Sequence, residues 1–373
     1  MNCQNILIVG GGIAGMTAAI RFAEAGAKVE LIDIDPDWRV YGAGITITGP
    51  TLRAYKRLGL LEAIKQQGAI ASGTRIFRFD GVHLHDLDEP ALEEGLPATG
   101  GIMRPVLHRI MQTRVRELDV AVRLGITVES LVNAGDGVDV VFSDGSGGRY
   151  DLVVGADSVN SAVRKLAFPH MAEPVYTGQG CWRISIRKPP MLTRGEMYFG
   201  HANPCGITLC GEDAVYLWQL TPHVRSKRHF DAEALFTAMR ANLEGFGNSA
   251  GWIRDNMSRE DWINYRPLAA AIQPGPWHAG RIVLVGDAVH ATTPHLASGA
   301  GIAVESAMVL AEELGKAASV EEGLSDYCAR RFERCRDVID SSVAVGQMQL
   351  DGGPAQQVGA LIGAALHRLA ADY

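Results

Sequence analysis

A glycine-rich turn between an apolar strand and a helix constrains this 373-residue chain more than any other feature. Gly10, Gly12 and Gly15 follow the apolar run 6–9 at the GxGxxG spacing, with Ala14 in the same turn. The first glycine permits a tight turn, the second lets the backbone approach a pyrophosphate, and the third lets helix and strand pack closely. The start of the helix can then hold phosphates on its free N–H groups.

A second strand completes this unit. Residues 29–32 form an apolar-rich run that ends at Asp33, 18 residues beyond Gly15. An acidic side chain at this place can accept hydrogen bonds from an adenosine ribose. The strand, the turn, the helix, the second strand and the acid together predict a Rossmann-like domain that binds a dinucleotide, and they leave NAD and FAD both open.

Length and composition describe a globular chain, with 47% hydrophobic and 21% charged residues, that is long enough for two domains. A net charge of −7 without a basic stripe argues against a nucleic-acid partner. The six cysteines form no set with zinc spacing, so we expect no metal site, and scattered thiols fit a reducing cytoplasm. No signal peptide is recognisable, and no apolar stretch approaches the roughly 20 residues that span a bilayer.

Later segments carry further motifs. In residues 151–164 an apolar strand leads to Asp157, and in residues 280–290 a second one leads to Gly286 and Asp287. The chain then enters an apolar helix through a glycine-rich turn, where N–H groups can face an anionic ligand. The candidate ligand-binding residues of that turn are Pro294, Gly299, Ala300 and Gly301.

The order of these motifs resembles a known family. Together with the glycine-rich residues 39–48 and with Arg104, they are similar, from residue 5 to about 345, to the single-component flavoprotein aromatic hydroxylases. These are relatives of the salicylate, hydroxybenzoate and hydroxynicotinate monooxygenases. The resemblance implies FAD as the bound cofactor, NADH or NADPH as a transient co-substrate, and a small aromatic compound and O₂ as substrates.

The resemblance also implies a role for each segment. Asp157 belongs to a fingerprint that meets the FAD pyrophosphate and the nicotinamide cofactor, and Ser158 stands where the family usually has glycine. Gly286 and Asp287 bind the ribityl chain, and Arg104 contacts the FAD phosphates. Thr46 and Thr48 either hydrogen-bond the substrate or are plain strand residues. The residues of the loop beside the flavin ring are Arg39, Gly44, Thr46 and Thr48.

Residues 175–222 alternate between apolar and polar positions and predict antiparallel strands with one face covered. The expected fold is therefore α/β, a Rossmann-like FAD-binding domain with an inserted antiparallel-sheet substrate domain, as in hydroxybenzoate hydroxylase. We expect the FAD domain to comprise 1–75, 101–170 and 273–320, the substrate domain 76–100 and 171–272, and C-terminal helices 321–373. A monomer and a homodimer are both open.

Two segments of the chain are basic. The cluster 223–229 either steers a nicotinamide dinucleotide phosphate or is a solvated loop. The arginines of a later helix are expected to face water, namely Arg330, Arg331, Arg334 and Arg336.

The strand aromatics are candidates for the wall of a substrate pocket. Tyr198 and Trp218 either line it or fill the core, and the strand register decides, since a slip by one residue exchanges the two faces. Arg183 or a backbone dipole would hold an anionic group on a planar ring. A base with a pKa near neutrality would ionise such a substrate. His295 is the first candidate, or else packs the turn, and Tyr216 and His201 are weaker candidates.

Three hypotheses about activity follow. The resemblance implies that NAD(P)H reduces FAD and that a flavin C4a-hydroperoxide then hydroxylates the ring. Epoxidation, oxidative decarboxylation or Baeyer–Villiger insertion would leave similar motifs. The second hypothesis is an FAD-dependent dehydrogenase or reductase without oxygen insertion, and the third is a flavin-binding scaffold without activity.

Overall fold

The computed structural model describes residues 2–40, 42–223 and 230–373, and residues 224–229 of the basic cluster lie outside these ranges. The strands are β1 (Asn5–Val9), β2 (Lys28–Asp33), β3 (Gly44–Thr48), β4 (Ala69–Ala71), β5 (Gly73–Arg78), β6 (His83–Asp88), β7 (Thr99–Met103), β8 (Ala121–Leu124), β9 (Val128–Ala134), β10 (Gly137–Phe142), β11 (Gly147–Tyr150), β12 (Leu152–Gly155), β13 (Val175–Arg187), β14 (Gly195–Phe199), β15 (Cys205–Leu209), β16 (Ala214–Pro222), β17 (Trp262–Ile272), β18 (His278–Ala279), β19 (Ile282–Leu284) and β20 (His290–Ala291). The helices are α1 (Ile13–Glu24), α2 (Gly49–Arg57), α3 (Leu61–Gln67), α4 (Arg104–Glu117), α5 (Ala162–Ala167), α6 (Ala232–Asn242), α7 (Asn248–Asn256), α8 (Gly299–Lys316), α9 (Val320–Leu350) and α10 (Ala355–Ala370).

A mainly parallel sheet forms the core around the glycine-rich turn. Its strand order is β18-β19-β12-β1-β2-β8, and every neighbouring pair from β19 to β8 is parallel. β12 and β19 are buried along their whole length, as expected of strands covered on both faces. Because the carboxyl ends of parallel strands lie at one edge, the segments that follow these strands meet there.

An eight-stranded sheet stands beside it in the order β20-β17-β13-β16-β15-β14-β5-β6. Its pairs are antiparallel except for β14 with β5. One face packs on α6 and α7, for example through Ile184, Leu217 and Met239. The alternate residues of the same strands point to the opposite face, which borders a cavity. Two smaller sheets have the orders β11-β10-β9 and β3-β7-β4.

α9 packs against α8 and buries an arginine. The prediction that Arg331 faces water is wrong, because its side chain is 0% exposed and donates to Glu305 of α8 at 2.8 Å. Arg334 donates to the same carboxylate, whereas Arg336 is exposed as expected. None of the helices in the described ranges has the length and apolar character that a membrane crossing requires.

Candidate active site

The predicted motifs meet at the carboxyl edge of the parallel sheet. Gly10 follows β1, Asp157 lies just beyond β12, and Gly286 lies just beyond β19, and these three strands are neighbours. Asp33 ends the adjoining strand β2, and its carboxylate accepts a hydrogen bond from the backbone N–H of Gly11 at 2.6 Å. The sheet topology therefore assembles one site from segments that are far apart in the chain.

The three glycines of the first turn have different surroundings. Gly10 has a φ of +106°, a left-handed backbone that favours glycine. A Cβ on Gly15 would lie 1.8 Å from the carbonyl oxygen of Gly10, so α1 approaches the turn closely only because that side chain is missing. A Cβ on Gly12 would meet no atom within 4 Å, and Gly12 lines a cavity. The turn therefore leaves room for a ligand at the start of α1.

A cavity of about 720 Å³ extends from this turn to the open face of the eight-stranded sheet. Its wall combines the first turn, the start of α8, strands β13, β16 and β17, and two side chains of α10. The predicted site residues that line it are Gly12, Ala14, Gly44, Thr46, Thr48, Arg104, Arg183, Tyr216, Trp218, Asp287, Pro294, His295, Gly299 and Ala300. One space thus joins the nucleotide-binding turn to the candidate substrate face.

Arg104 and Asp287 bring opposite charges to this cavity. Within the described residues, neither side chain forms a hydrogen bond, and both are exposed to the cavity. Enclosure by the protein lowers the pKa of Arg104, and the charge of Arg183 lowers it further. Partial loss of solvent inside the cavity raises the pKa of Asp287, although His290 and Arg104 act in the opposite direction. Two charged side chains in this cavity without a protein partner among the described residues are well placed to bind a polar ligand.

The start of α8 also faces the cavity. Gly299 and Ala300 line it, whereas Gly301 packs against α2, since a Cβ there would lie 2.2 Å from Thr51 Oγ1. Ala297, just before the helix, has a φ of +49°. The free N–H groups and the positive end of the helix dipole favour a negatively charged part of a ligand at this point.

Ser158 carries backbone strain beside the cavity. Its φ is +72°, a left-handed conformation that costs a residue with a side chain about 1–3 kcal/mol. We expect Ser158→Gly to raise the free energy of unfolding by about 0.5–1 kcal/mol, because the greater freedom of glycine in the unfolded chain offsets part of the relief. Urea unfolding of the two proteins measures the difference. A lower midpoint for the glycine variant would contradict this account of Ser158.

The open face of the eight-stranded sheet combines aromatic and cationic side chains. Arg183 on β13 and Tyr216 and Trp218 on β16 point into the cavity, because strand alternation sends their neighbours to the opposite core. Arg183 Nε donates to the Tyr216 hydroxyl oxygen at 3.3 Å. Burial raises the pKa of Tyr216 to about 12, so this phenol is neutral near pH 7 and its own proton is available to a ligand.

β17 adds residues that the sequence analysis did not single out. Trp262, Asn264 and Arg266 occupy alternate positions on this strand and all line the cavity. Their period-two spacing is the signal that could have found them. The side chain of Arg266 forms no hydrogen bond or ion pair within the part of the chain that the structure describes, and it faces the same space as Arg183.

His295 lies on the cavity wall with both ring nitrogens engaged. Its Nδ1 is 2.8 Å from Thr293 Oγ1, and its Nε2 is 2.9 Å from Gln179 Oε1. Burial, partly opposed by the nearby Gln349 side chain, lowers the pKa of His295 to about 4. The structure therefore places His295 where the sequence predicts it, but without the near-neutral pKa that a general base for this task needs.

Several predicted residues do not reach the cavity. The register of β14 turns Tyr198 towards α7, where its hydroxyl donates to Glu196 in the core. His201 packs against the ring of Phe246, and Arg39 pairs with a neighbouring aspartate at the surface. These positions correct the expectation that Tyr198 and His201 touch a substrate. The residues that shape the turns behind the cavity wall are Gly10, Gly15, Asp33, Asp157, Gly286 and Gly301.

Comparison with known proteins identifies the family. A family model described as an FAD-binding domain matches residues 4–342. The chain belongs to the single-component FAD-dependent aromatic hydroxylases. Its sequence is 30% identical over 353 residues to the putative FAD-dependent monooxygenase YetM of Bacillus subtilis. The alignment covers 94% of this chain and 95% of YetM. It is also 30% identical to the 2-heptyl-3-hydroxy-4(1H)-quinolone synthase of Pseudomonas aeruginosa, covering 92% and 89%.

Solved structures share the fold of this hydroxylase. HpxO of Klebsiella pneumoniae, solved with FAD and uric acid, superposes with a TM-score of 0.83 at 20% identity over 97% of both chains. PqsL of P. aeruginosa, solved with 2-aminobenzoylacetate, gives 0.82 at 20% identity over 96% of this chain and 99% of that chain. The predicted hydroxybenzoate-hydroxylase-like α/β fold is confirmed. FAD is the cofactor, and the room at Gly12 and the unsatisfied Arg104 and Asp287 fit it.

Proposed function

We propose that this protein is a monooxygenase that uses NADH or NADPH and O₂ to hydroxylate a small aromatic or heteroaromatic ring bearing an anionic group. One observation carries the proposal. A single cavity of about 720 Å³ connects the FAD-binding turns to a sheet face built from aromatic and arginine side chains. A planar ring bound on that face would lie next to the cofactor inside the same cavity.

The activities named for relatives support a planar ring compound as the substrate. Besides the quinolone synthase, they include the 3-amino-4-hydroxybenzoate 2-monooxygenase PtmB3 of Streptomyces platensis, 29% identical over 370 residues. They also include the FAD-dependent urate hydroxylase of Klebsiella oxytoca, 26% identical over 354 residues. Each name refers to a compound with a planar ring, which suits a cavity with tryptophan walls.

The residues that hold FAD follow from the charges and the free space of the cavity. FAD, when bound, supplies electron transfer from the nicotinamide and the activation of oxygen. Gly12 leaves room for the pyrophosphate at the start of α1, and Arg104 offsets phosphate charge. Asp287 accepts hydrogen bonds from ribityl hydroxyls, and the start of α8 stabilises negative charge on the flavin ring.

The substrate face binds, orients and excludes water. Arg183 and Arg266 hold the anionic group through charge-assisted hydrogen bonds, while Trp218 and Trp262 enclose the ring. Tyr216 stays neutral, and its hydroxyl donates a hydrogen bond to an oxygen substituent of the substrate ring. The apolar walls keep bulk water from the reacting atoms, which strengthens these polar contacts.

Two further parts of the proposal rest on sequence features. The chain has no second GxGxxG that follows a strand, so the nicotinamide cofactor binds transiently without a domain of its own. All six cysteines are free thiols, which supports a reducing compartment such as the cytoplasm.

Turnover under ¹⁸O₂ tests this function. A hydroxylase places one labelled oxygen atom in the hydroxylated product and the other in water. A labelled epoxide or lactone would keep oxygen insertion but replace hydroxylation. A product without label would contradict the proposal and favour an FAD-dependent dehydrogenase or reductase, which inserts no oxygen.

Arg183→Leu should weaken substrate binding more than cofactor binding. We expect KM for an anionic aromatic substrate to rise about 10- to 30-fold, which corresponds to the loss of one charge-assisted hydrogen bond of roughly 1.5–2 kcal/mol. FAD affinity should stay within about twofold of the wild type, because the FAD phosphates are assigned to Arg104. Steady-state kinetics and an FAD titration measure both quantities. Arg187→Leu, at the exposed end of the same strand, is the matched control, and equal KM values for wild type and Arg183→Leu would remove Arg183 from the site.

A further inference from the structure

A chain of hydrogen bonds links the loop before α8 to the eight-stranded sheet and then to α9. Thr293 Oγ1 lies 2.8 Å from His295 Nδ1, and His295 Nε2 lies 2.9 Å from Gln179 Oε1 on β13. The side-chain amide of Gln179 in turn donates to Gln349 Oε1 on α9 at 3.3 Å. Three elements that are distant in the chain therefore meet at one imidazole ring.

The chemistry of the partners fixes the direction of these bonds. The carbonyl oxygen of Gln179 can only accept, so Nε2 of His295 carries the proton and donates it. The neutral ring then has its lone pair at Nδ1, which accepts from the hydroxyl of Thr293. Protonation of Nδ1 would place a second N–H against this hydroxyl, which would then have to turn away. The arrangement therefore suits one neutral tautomer of His295.

Close packing keeps Gln179 in this position. Its side chain is 3% exposed. A Cβ on Gly346 of α9 would lie 2.7 Å from Gln179 Oε1 and 2.9 Å from His295 Cε1, so α9 approaches the pair as closely as a glycine allows. Neither side chain has free space on the side of α9 into which it could rotate.

We infer that Gln179 is a positioning residue that holds His295 in its Nε2-protonated form and so fixes residues 293–298 against the substrate sheet. Thr293, Gln179, Gly346 and Gln349 contact His295 from its own loop, from β13 and from α9, and none of these side chains ionises. The imidazole thus stays uncharged between the start of α8 and the substrate face. The consequence for turnover rests on the proposed monooxygenase function, whereas the state of the imidazole does not.

Gln179→Glu tests the inference with almost no change in shape. The variant places a carboxylate beside Nε2 of His295. An opposite charge at this distance raises the pKa of the imidazole by about 1–3 units. ¹⁵N-histidine NMR reads the ring directly, with the His295 signal assigned from its loss in His295→Gln. In the wild type we expect one neutral tautomer with the proton on Nε2 and no titration between pH 6 and 8. In Gln179→Glu we expect the His295 signal to titrate at least 1 pH unit higher than in the wild type.

Turnover provides the second readout. Because the imidazolium is the form that Gln179→Glu favours, the hydroxylated product formed per NAD(P)H oxidised should fall at least about twofold as pH is lowered through the new pKa. Wild type and Gln347→Glu, the same exchange at an exposed position on α9, should show no such fall.

Two results would overturn the inference. One is a His295 signal in Gln179→Glu with the tautomer and pKa of the wild type. The other comes from Gln179→Met, which keeps the volume but removes the acceptor. We expect a mixture of His295 tautomers in Gln179→Met. A ring that stays protonated at Nε2 alone would show that Gln179 does not select the tautomer of His295. The NMR result needs no turnover, so failure of the proposed function would appear separately, as a wild type that forms no oxygenated product.

Discussion

Gly12→Asp is expected to lose FAD affinity by at least about 100-fold, roughly 2.7 kcal/mol, while the protein stays folded. Gly12 is the N-cap residue of α1, with φ −78° and ψ −171°, a conformation that aspartate adopts readily and in which it caps a helix well. Its Cβ would meet no protein atom within 4 Å, so the fold accepts the side chain. The pyrophosphate of FAD occupies this same space in our proposal. A carboxylate at Gly12 would fill the space and repel the phosphates.

Fluorescence titration of the apoprotein with FAD measures the affinity, and thermal unfolding of the apoprotein confirms the fold. Gly359→Asp is the matched control, because Gly359 lies on the exposed side of α10 and a Cβ there also meets no atom within 4 Å. An FAD dissociation constant for Gly12→Asp equal to that of Gly359→Asp would contradict the placement of the pyrophosphate at the first turn.

Glu305→Gln should lower the free energy of unfolding by about 3–5 kcal/mol, because it leaves the fully buried Arg331 without its counter-ion. The side chain of Glu305 is 2% exposed, and its carboxylate accepts hydrogen bonds from both Arg331 and Arg334. Glutamine keeps the shape but has one oxygen where the carboxylate has two, and it carries no charge. Urea unfolding measures the loss.

An exposed ion pair on α9, the helix that carries Arg331, provides the control. Arg336→Gln breaks the contact between Arg336 and Glu333, and we expect a change within about 0.5 kcal/mol. A similar small change for Glu305→Gln would show that the buried network adds little to stability.

The buried network also predicts a pH dependence. Burial raises the pKa of Glu305, but Arg331 and Arg334 lower it by more, so its folded-state pKa is below the ordinary value. The stabilisation is therefore present above the unfolded-state pKa of about 4.3 and is lost as pH falls through the lower folded-state pKa. The difference in unfolding free energy between wild type and Glu305→Gln should shrink at acid pH.

The nucleotide-binding turn could be predicted because its requirements are local. The tight turn at Gly10, the open space at Gly12 and the close packing at Gly15 all follow from a short stretch of backbone. The sheet was predictable for a similar reason, since alternation is visible within each strand. Trp262, Asn264 and Arg266 show the same alternation and could have been included in the candidate site.

The features that the sequence analysis missed depend on distant partners. Tyr198 faces the core because β14 pairs with β15 and β5 in one register, and a shift by one residue would have turned it to the cavity. Arg331 is buried because it pairs with Glu305, which lies 26 residues earlier on another helix. The pKa of His295 is low because the ring is buried, partly against Gln179, which lies 116 residues away in the chain. A local sequence pattern does not predict contacts between residues that are so far apart in the chain.

The most direct test of the central claim follows NADH and NADPH oxidation together with O₂ uptake by the purified yellow protein, over a panel of phenols, hydroxybenzoates and hydroxypyridines. We expect an anionic ring compound to accelerate the oxidation of one nicotinamide cofactor, with equal amounts of O₂ consumed and hydroxylated product formed. A yellow protein that oxidises the nicotinamide cofactor with a ring substrate but consumes no O₂ would contradict the monooxygenase function.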